Sequence, residues 1–309
     1  MEFFTKKTIG VEISHDGIAG ATIVRGTGNP TLIQASRAAL PQGVLQRSMK
    51  APQVLQPEAF VQALREAWLA LQPHTNQIAL SLPDSAGYVS LVSLDEPWKT
   101  HDEAVEILGW KTAKKLCIDP ASVHLDFQLI ERRHDGSTLL LAALTHQSVI
   151  TQYEELAQAA GLQPVRINFH SLNLFNLFDT VLTEPGLAVL LYDSVLSILA
   201  VRYGKPFFLR TKQIPSDNAS ARLERELGSS LTAVQKLRLN EDIGICYYLL
   251  PHEELPIMDF LVASFDTPPR TIQLESVVQR GSELTISAKP FRQSAAALGA
   301  ALGDRKSVV

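Results

Sequence analysis

Glu12, Ser14, His15 and Asp16 place two carboxylates, a hydroxyl and an imidazole within five consecutive residues. A Glu12 carboxylate could coordinate Mg²⁺ and the Ser14 hydroxyl could meet a phosphate. The simpler expectation is that Glu12 is a solvated carboxylate near a hairpin end and that His15 and Asp16 form a polar turn. Gly26-Thr27-Gly28 lacks the third glycine and the following helix of a dinucleotide loop, so a hairpin connection is expected there. The chain contains no Gly-x-Ser-x-Gly elbow, no His-Glu-x-x-His and no Walker loop, which leaves nucleophilic and metal-dependent hydrolysis without support. None of the eight histidines, His170 among them, repeats at ligand spacing on one helix, and surface or cap positions are expected for them. Cys117 and Cys246 are expected to pack as small hydrophobes.

The elements that must position these groups begin with a hairpin. Ile9, Val11 and Ile13 alternate into the turn His15-Asp16-Gly17, and an apolar run over 18–24 leaves it. A third strand is expected at 30–40, a turn-rich loop at 41–55, and a helix at 57–71 with Phe60, Leu64, Trp68 and Leu71 at helical spacing. A short strand at 77–83 completes the order strand-strand-strand-helix-strand, that of a ribonuclease-H-like half. Residues 85–147 then read as a β-α-β-β module of roughly 60 residues, enough for a small subdomain. A helix at 149–160 closed by Gly161, a strand at 164–169 and a helix at 172–182 resume the first half.

The second half opens like the first, with strands at 187–192, 195–203 and 207–214, as internal duplication would leave it. A long helix is expected at 221–239, a strand at 243–249, a helix at 255–265, a strand at 271–274 and a terminal Ala-rich helix at 294–302. Two lobes suit 309 residues of which 46% are hydrophobic and 19% charged. A net charge of −4 without a basic run argues against nucleic acid as a partner. Two distant cysteines are too few for a disulfide framework and fit a reducing compartment. No window reaches about 18 uninterrupted apolar residues, so a cytoplasmic protein is expected, meeting the membrane only through partners.

The element order, together with the phrases Ile9 to Ser14, Val123 to Leu129, Gly204 to Phe208 and Ala296 to Leu302, resembles the PilM family of actin-like proteins of type IV pilus assembly. It resembles more distantly the secretion-system L proteins and FtsA. The resemblance spans nearly the whole chain. It implies an α/β, actin-like (ribonuclease-H-like) two-lobe fold, with lobe 1 at 1–84 and 148–184, an inserted 1C-type β-α-β-β subdomain at 85–147, lobe 2 at 185–309 and a reduced 2B region.

Where this sequence departs from that pattern, the nucleotide elements are worn down. The first phosphate loop of actin-like ATPases, Asp-x-Gly-(Ser/Thr), is represented by Glu12, Ile13 and Ser14. The second, Asp-x-Gly, falls near Leu190 and Tyr192, where a ring stands in place of a glycine. The glycine run of the adenosine loop falls at Leu249, Leu250 and Pro251. The expectation is a non-catalytic scaffold without cofactor that receives the cytoplasmic tail of a PilN-like inner-membrane protein, with an assembly ATPase as a further candidate partner. Trp98, Trp110, Lys111 and Lys114 are the candidate docking residues on the inserted module. The alternative is a divergent ATPase in which Glu12 and Ser14 still hold Mg²⁺ and ATP. A secretion L-type domain is the third reading, disfavoured here because no membrane span follows.

Overall fold

The computed structural model of the chain describes residues 6–26, 28–214, 217, 219–237, 244–250, 257–282, 284 and 291–303. Strands β1 (Lys6–Ser14), β2 (Gly17–Arg25) and β3 (Thr31–Ala39) form an antiparallel meander. After α1 (Pro57–Leu69) the chain adds β4 (Gln77–Leu82) parallel to β1. Pro57 suits the first helical turn, where its missing N–H would have had no partner.

A separate antiparallel sheet follows, made of β5 (Gly87–Leu94), β6 (Val123–Arg132) and β7 (Thr138–His146) in the order β5-β7-β6. Helix α2 (His101–Leu116) packs on it. The Thr100 hydroxyl caps α2 by accepting from the Glu103 N–H, and acidic first-turn and basic last-turn residues complement its dipole. Helix α3 (Gln147–Ala159), strand β8 (Gln163–Phe169) and helix α4 (His170–Phe178) return to the first lobe, where β8 runs parallel to β4.

The second lobe is built from β9 (Gly186–Tyr192), β10 (Val195–Arg202), β11 (Lys205–Gln213), helix α5 (Ala219–Leu237), β12 (Ile245–Leu249), helix α6 (Ile257–Ser264) and β13 (Arg270–Thr271). Its order, β11-β10-β9-β12-β13, repeats the β3-β2-β1-β4-β8 order of the first lobe. Three antiparallel strands followed by two parallel ones, twice in one chain, is the topological mark of duplication.

Two findings differ from the sequence reading. The strand expected at 271–274 stops at Thr271, and a 3₁₀ turn at Leu274–Ser276 follows. The chain then crosses back to lobe 1, where β14 (Gln279–Arg280) adds to the edge of β3. A two-residue strand carries too little pattern to read.

Helix α7 (Ala295–Leu302) lies in the core shared by both lobes, with α4, β1 and residues from both large sheets around it. Its small side chains permit a close approach. A Cβ on Gly10 would overlap the Ala297 carbonyl, and one on Gly299 would overlap the Asn173 carbonyl. At the other end, Arg166 and Arg25 donate to the Ala300 and Ala301 carbonyls, where cations suit the helix dipole. Among the described residues no helix is long and apolar enough to cross a membrane.

Candidate functional site

The β1–β2 hairpin of lobe 1 and the β9–β10 hairpin of lobe 2 meet at the seam between the lobes. The second hairpin turns on Asp193 and Ser194, both in the left-handed region with φ of 45° and 62°. This is the turn type that suits the right-handed twist of flanking strands. His15 Nδ1 lies 2.9 Å from Asp193 Oδ2, so the two turns are joined across the seam. Asp193 is a residue that sequence reasoning missed, although an Asp-Ser pair between two apolar runs signals a turn with a carboxylate on it.

Glu12 is not the solvated carboxylate expected from the sequence, since only 1% of the residue is exposed. Strand β1 is buried on both faces beyond its first residues, so alternation cannot send Glu12 to water. Tyr192 Oη lies 2.7 Å from each Glu12 carboxyl oxygen and 3.1 Å from the Gln293 carbonyl oxygen, while the Ala297 N–H donates to Glu12 Oε2 at 3.3 Å. Burial pushes the Glu12 carboxyl up to about 8, against the lowering effect of those two bonds. The Tyr192 hydroxyl is also raised by burial and by Glu12, well above its ordinary value.

Ser14 faces its own turn. Its hydroxyl donates within hydrogen-bond reach of Asp16 Oδ1 at 2.8 Å and the Gly17 carbonyl at 2.9 Å. Burial would raise the Asp16 carboxyl, but the Ser14 hydroxyl and the Arg37 guanidinium, 2.8 Å away, hold it below the ordinary value.

Strand β4 and the start of α4 supply the floor. Ser81 Oγ lies 2.8 Å from His170 Nδ1 and accepts from Asn173 Nδ2 at 2.8 Å. The His170 ring meets the Tyr192 ring edge-on at 5.4 Å. Asp84 accepts from the Ser171 N–H at 3.1 Å and from the Ser171 hydroxyl. Burial raises the Asp84 carboxyl to about 7, against the lowering effect of Ser171, and lowers the His170 imidazole to about 4. Expected as a surface or cap residue, His170 is fully buried and therefore neutral. Ser81 and His170 have the types of a nucleophile and its base, but both are at 0% exposure, so no substrate reaches them.

Leu190 is buried in the shared core, and Leu249 and Leu250 are buried at the end of β12. Pro251 lies outside the described residues. Among the described residues no group of three or more His, Cys, Asp or Glu could hold a metal ion. Cys246 is buried, whereas Cys117, expected to pack, is exposed in a left-handed C-cap of α2.

An open cavity of about 230 Å³ lies elsewhere, between the three-stranded sheet, the second half of α4 and the β10–β11 hairpin. Ile130 and Leu141, Phe175 and Asn176, and Val201 and Leu209 represent its three walls. Lys205 Nζ and Glu131 Oε1 bridge the hairpin and the small sheet at 3.2 Å. None of Trp98, Trp110, Lys111 and Lys114 lines this cavity. Trp98 packs edge-on against Phe127 at 5.8 Å, and Lys111 donates to the Ser93 carbonyl at 3.1 Å. Trp110 is 63% exposed on α2, and Lys114 is exposed one turn further on.

No family model matches the sequence, and no curated protein matches it either. Among solved structures, a chain of a PilM–PilN type IV pilus biogenesis complex superposes with a TM-score of 0.80 at 18% identity, covering 96% of this chain and 97% of that one. The cytoplasmic domain of EpsL, an inner membrane component of the type II secretion system of Vibrio cholerae, gives 0.52 at 11% identity over 97% of each chain. A Bacteroides thetaiotaomicron protein with an actin-like ATPase fold and unknown function gives 0.51 at 10% identity, over 86% of this chain and 90% of that one. The fold is thus the actin-like two-lobe fold, and the resemblance to PilM read from the sequence holds at the level of the fold.

Proposed function

We propose that this chain is a non-catalytic actin-like scaffold of a type IV pilus or a related secretion machine, a pseudo-ATPase that works by holding a membrane-anchored partner. The observation that carries the reading is the seam itself. Where an actin-like ATPase admits nucleotide, Tyr192 and Glu12 bond to each other and His15 bonds to Asp193. A triphosphate and its metal would have to displace all four side chains before finding any phosphate-binding loop.

The cavity beside the three-stranded sheet is the proposed docking place for the cytoplasmic tail of a PilN-like inner-membrane protein. Its aliphatic and aromatic wall residues suit apolar side chains of a short peptide, and Gln128 brings an amide group able to meet a peptide backbone. Likeness to a chain from a complex named for PilM and PilN supports the choice of partner. The exposed face of α2 around Trp110 and Lys114 is proposed as a second contact, open to an assembly ATPase. Membrane association would come through these partners, and neither a cofactor nor nucleic acid has a part.

Calorimetric titration of the full chain with tail peptides from neighbouring single-span proteins tests the reading, with Mg-ATP as the parallel titrant. Saturable binding of one tail with no heat from Mg-ATP is the expected result. Micromolar Mg-ATP binding that is lost in Glu12→Ala would establish the divergent ATPase instead.

A further inference from the structure

Among the groups that join the lobes is one buried carboxyl whose neighbours are all satisfied by one assignment of protons. Glu12 comes from β1 of lobe 1, Tyr192 from the end of β9 in lobe 2, and Gln293 and Ala297 from the start of the segment that forms α7. The phenol has one proton and two possible acceptors, Glu12 at 2.7 Å and the Gln293 carbonyl at 3.1 Å. With Glu12 ionised, the phenol donates to the carboxylate and the Gln293 carbonyl loses its donor. An unneutralised charge then stands in the shared core. With a proton on Oε1, Glu12 donates to Tyr192 Oη, Tyr192 donates to Gln293, and Oε2 accepts from the Ala297 N–H. Each donor is then used once and the chain of bonds is neutral.

Neighbouring elements supply little to hold the charged form. Opposite Glu12, β2 presents Ala19 and β4 presents Ser81. Helix α7 carries no charged side chain, and α4 contributes the neutral His170 behind the Tyr192 ring. Two charged side chains reach Glu12 electrostatically with opposite effects, Arg37 from β3 and Asp193 from the lobe 2 turn. Arg37 is already paired with Asp16.

We propose that Glu12, in its protonated form, is an interlobe latch that closes lobe 2 and the α7 segment onto β1 through Tyr192, and that loss of its proton loosens this seam. The latch needs no nucleotide and no partner, so its test is separate from that of tail binding.

The direction of the pH effect follows from where the proton sits. Glu12 keeps its proton in the folded chain up to about 8, whereas an unfolded glutamate loses it near 4.5, so its contribution to stability falls as pH rises from 4.5 to 8 and is constant above. Asp84 acts in the same direction but is spent by about 7. Above about 8 the buried Cys246 thiol, raised by burial to about 12, adds a decline of the same sign, so Glu12 is separated from Asp84 and Cys246 by comparison with a variant that lacks its titrating proton.

Melting of the full chain and of Glu12→Gln between pH 6 and pH 9 is the experiment. The carboxamide can donate to Tyr192 and accept from Ala297, so it reproduces the protonated latch without the titration. The expected result is a wild-type midpoint that declines more steeply from pH 7 to pH 8.5 than that of Glu12→Gln, which keeps only the contributions of Asp84 and Cys246, and a variant that melts above wild type at pH 8.5. In hydrogen exchange followed by mass spectrometry, peptides containing 293–297 should open about tenfold faster in wild type at pH 8.5 than at pH 6.5, after correction for intrinsic exchange, and equally at both in Glu12→Gln. Equal pH dependence in the two proteins would overturn the proposal. So would failure of Glu12→Gln to fold, since a neutral isostere is what the latch calls for.

Discussion

Helix α4 serves two regions that could hardly differ more. Its first turn lies in the interlobe seam, where His170 and Asn173 meet Ser81 and Ser171 meets Asp84. About a turn and a half later Phe175 and Asn176 line an open cavity. In the seam most polar side chains are paired, within lobe 1 or across to Tyr192 and Asp193 of lobe 2, and a ligand would have to break those pairs to enter. At the cavity, apolar side chains interspersed with Gln128, Asn176, Asp179 and Lys205 border open volume that the chain itself does not fill. The difference teaches that a binding place is sought where space is left open, and it is on that ground that the cavity rather than the seam is proposed for the partner.

The most damaging test of this contrast attacks the seam's packing. Gly299→Val forces a side chain into the Asn173 backbone, and a stability loss of about 3 kcal/mol is expected in urea denaturation. Next, Tyr192→Ala removes the ring that bridges the lobes and leaves Glu12 without its hydroxyl partner, for a loss of about 2 kcal/mol. If that variant instead gained Mg-ATP binding by calorimetry, the seam would be a masked nucleotide site and the contrast would fail.

At the cavity the order of effects reverses, with binding lost and folding kept. Ile130→Glu, at a half-buried wall position, should weaken tail binding at least about tenfold while changing stability by less than about 1 kcal/mol. Smallest of all, Lys205→Ala breaks a bridge whose side chains are 54% and 41% exposed, and a change of less than about 1 kcal/mol is expected by thermal melting. Trp110→Ala should be equally quiet in stability, so any loss of partner binding by that variant would establish α2 as a second docking face.

The sequence read well where period and turn chemistry suffice. The opening meander, α1 and the β-α-β-β order came from alternation and helical spacing, signals carried within a few residues of one another. The candidate site read poorly. Glu12 and Tyr192 are 180 positions apart, and nothing local to either announces the other. His170 gave no sign of burial because the groups that enclose it come from β1, β4 and β9.

Local patterning thus determined the longer strands and helices and their order, since each depends on contacts between near neighbours in the chain, but not the short β13 and β14 at the sheet edges. Tertiary structure decided which side of the lobes stays open and which closes. Whether a carboxylate is solvated or held protonated depends on what the other lobe brings against it, and that is a property of how two sheets and α7 dock, not of residues 12–16.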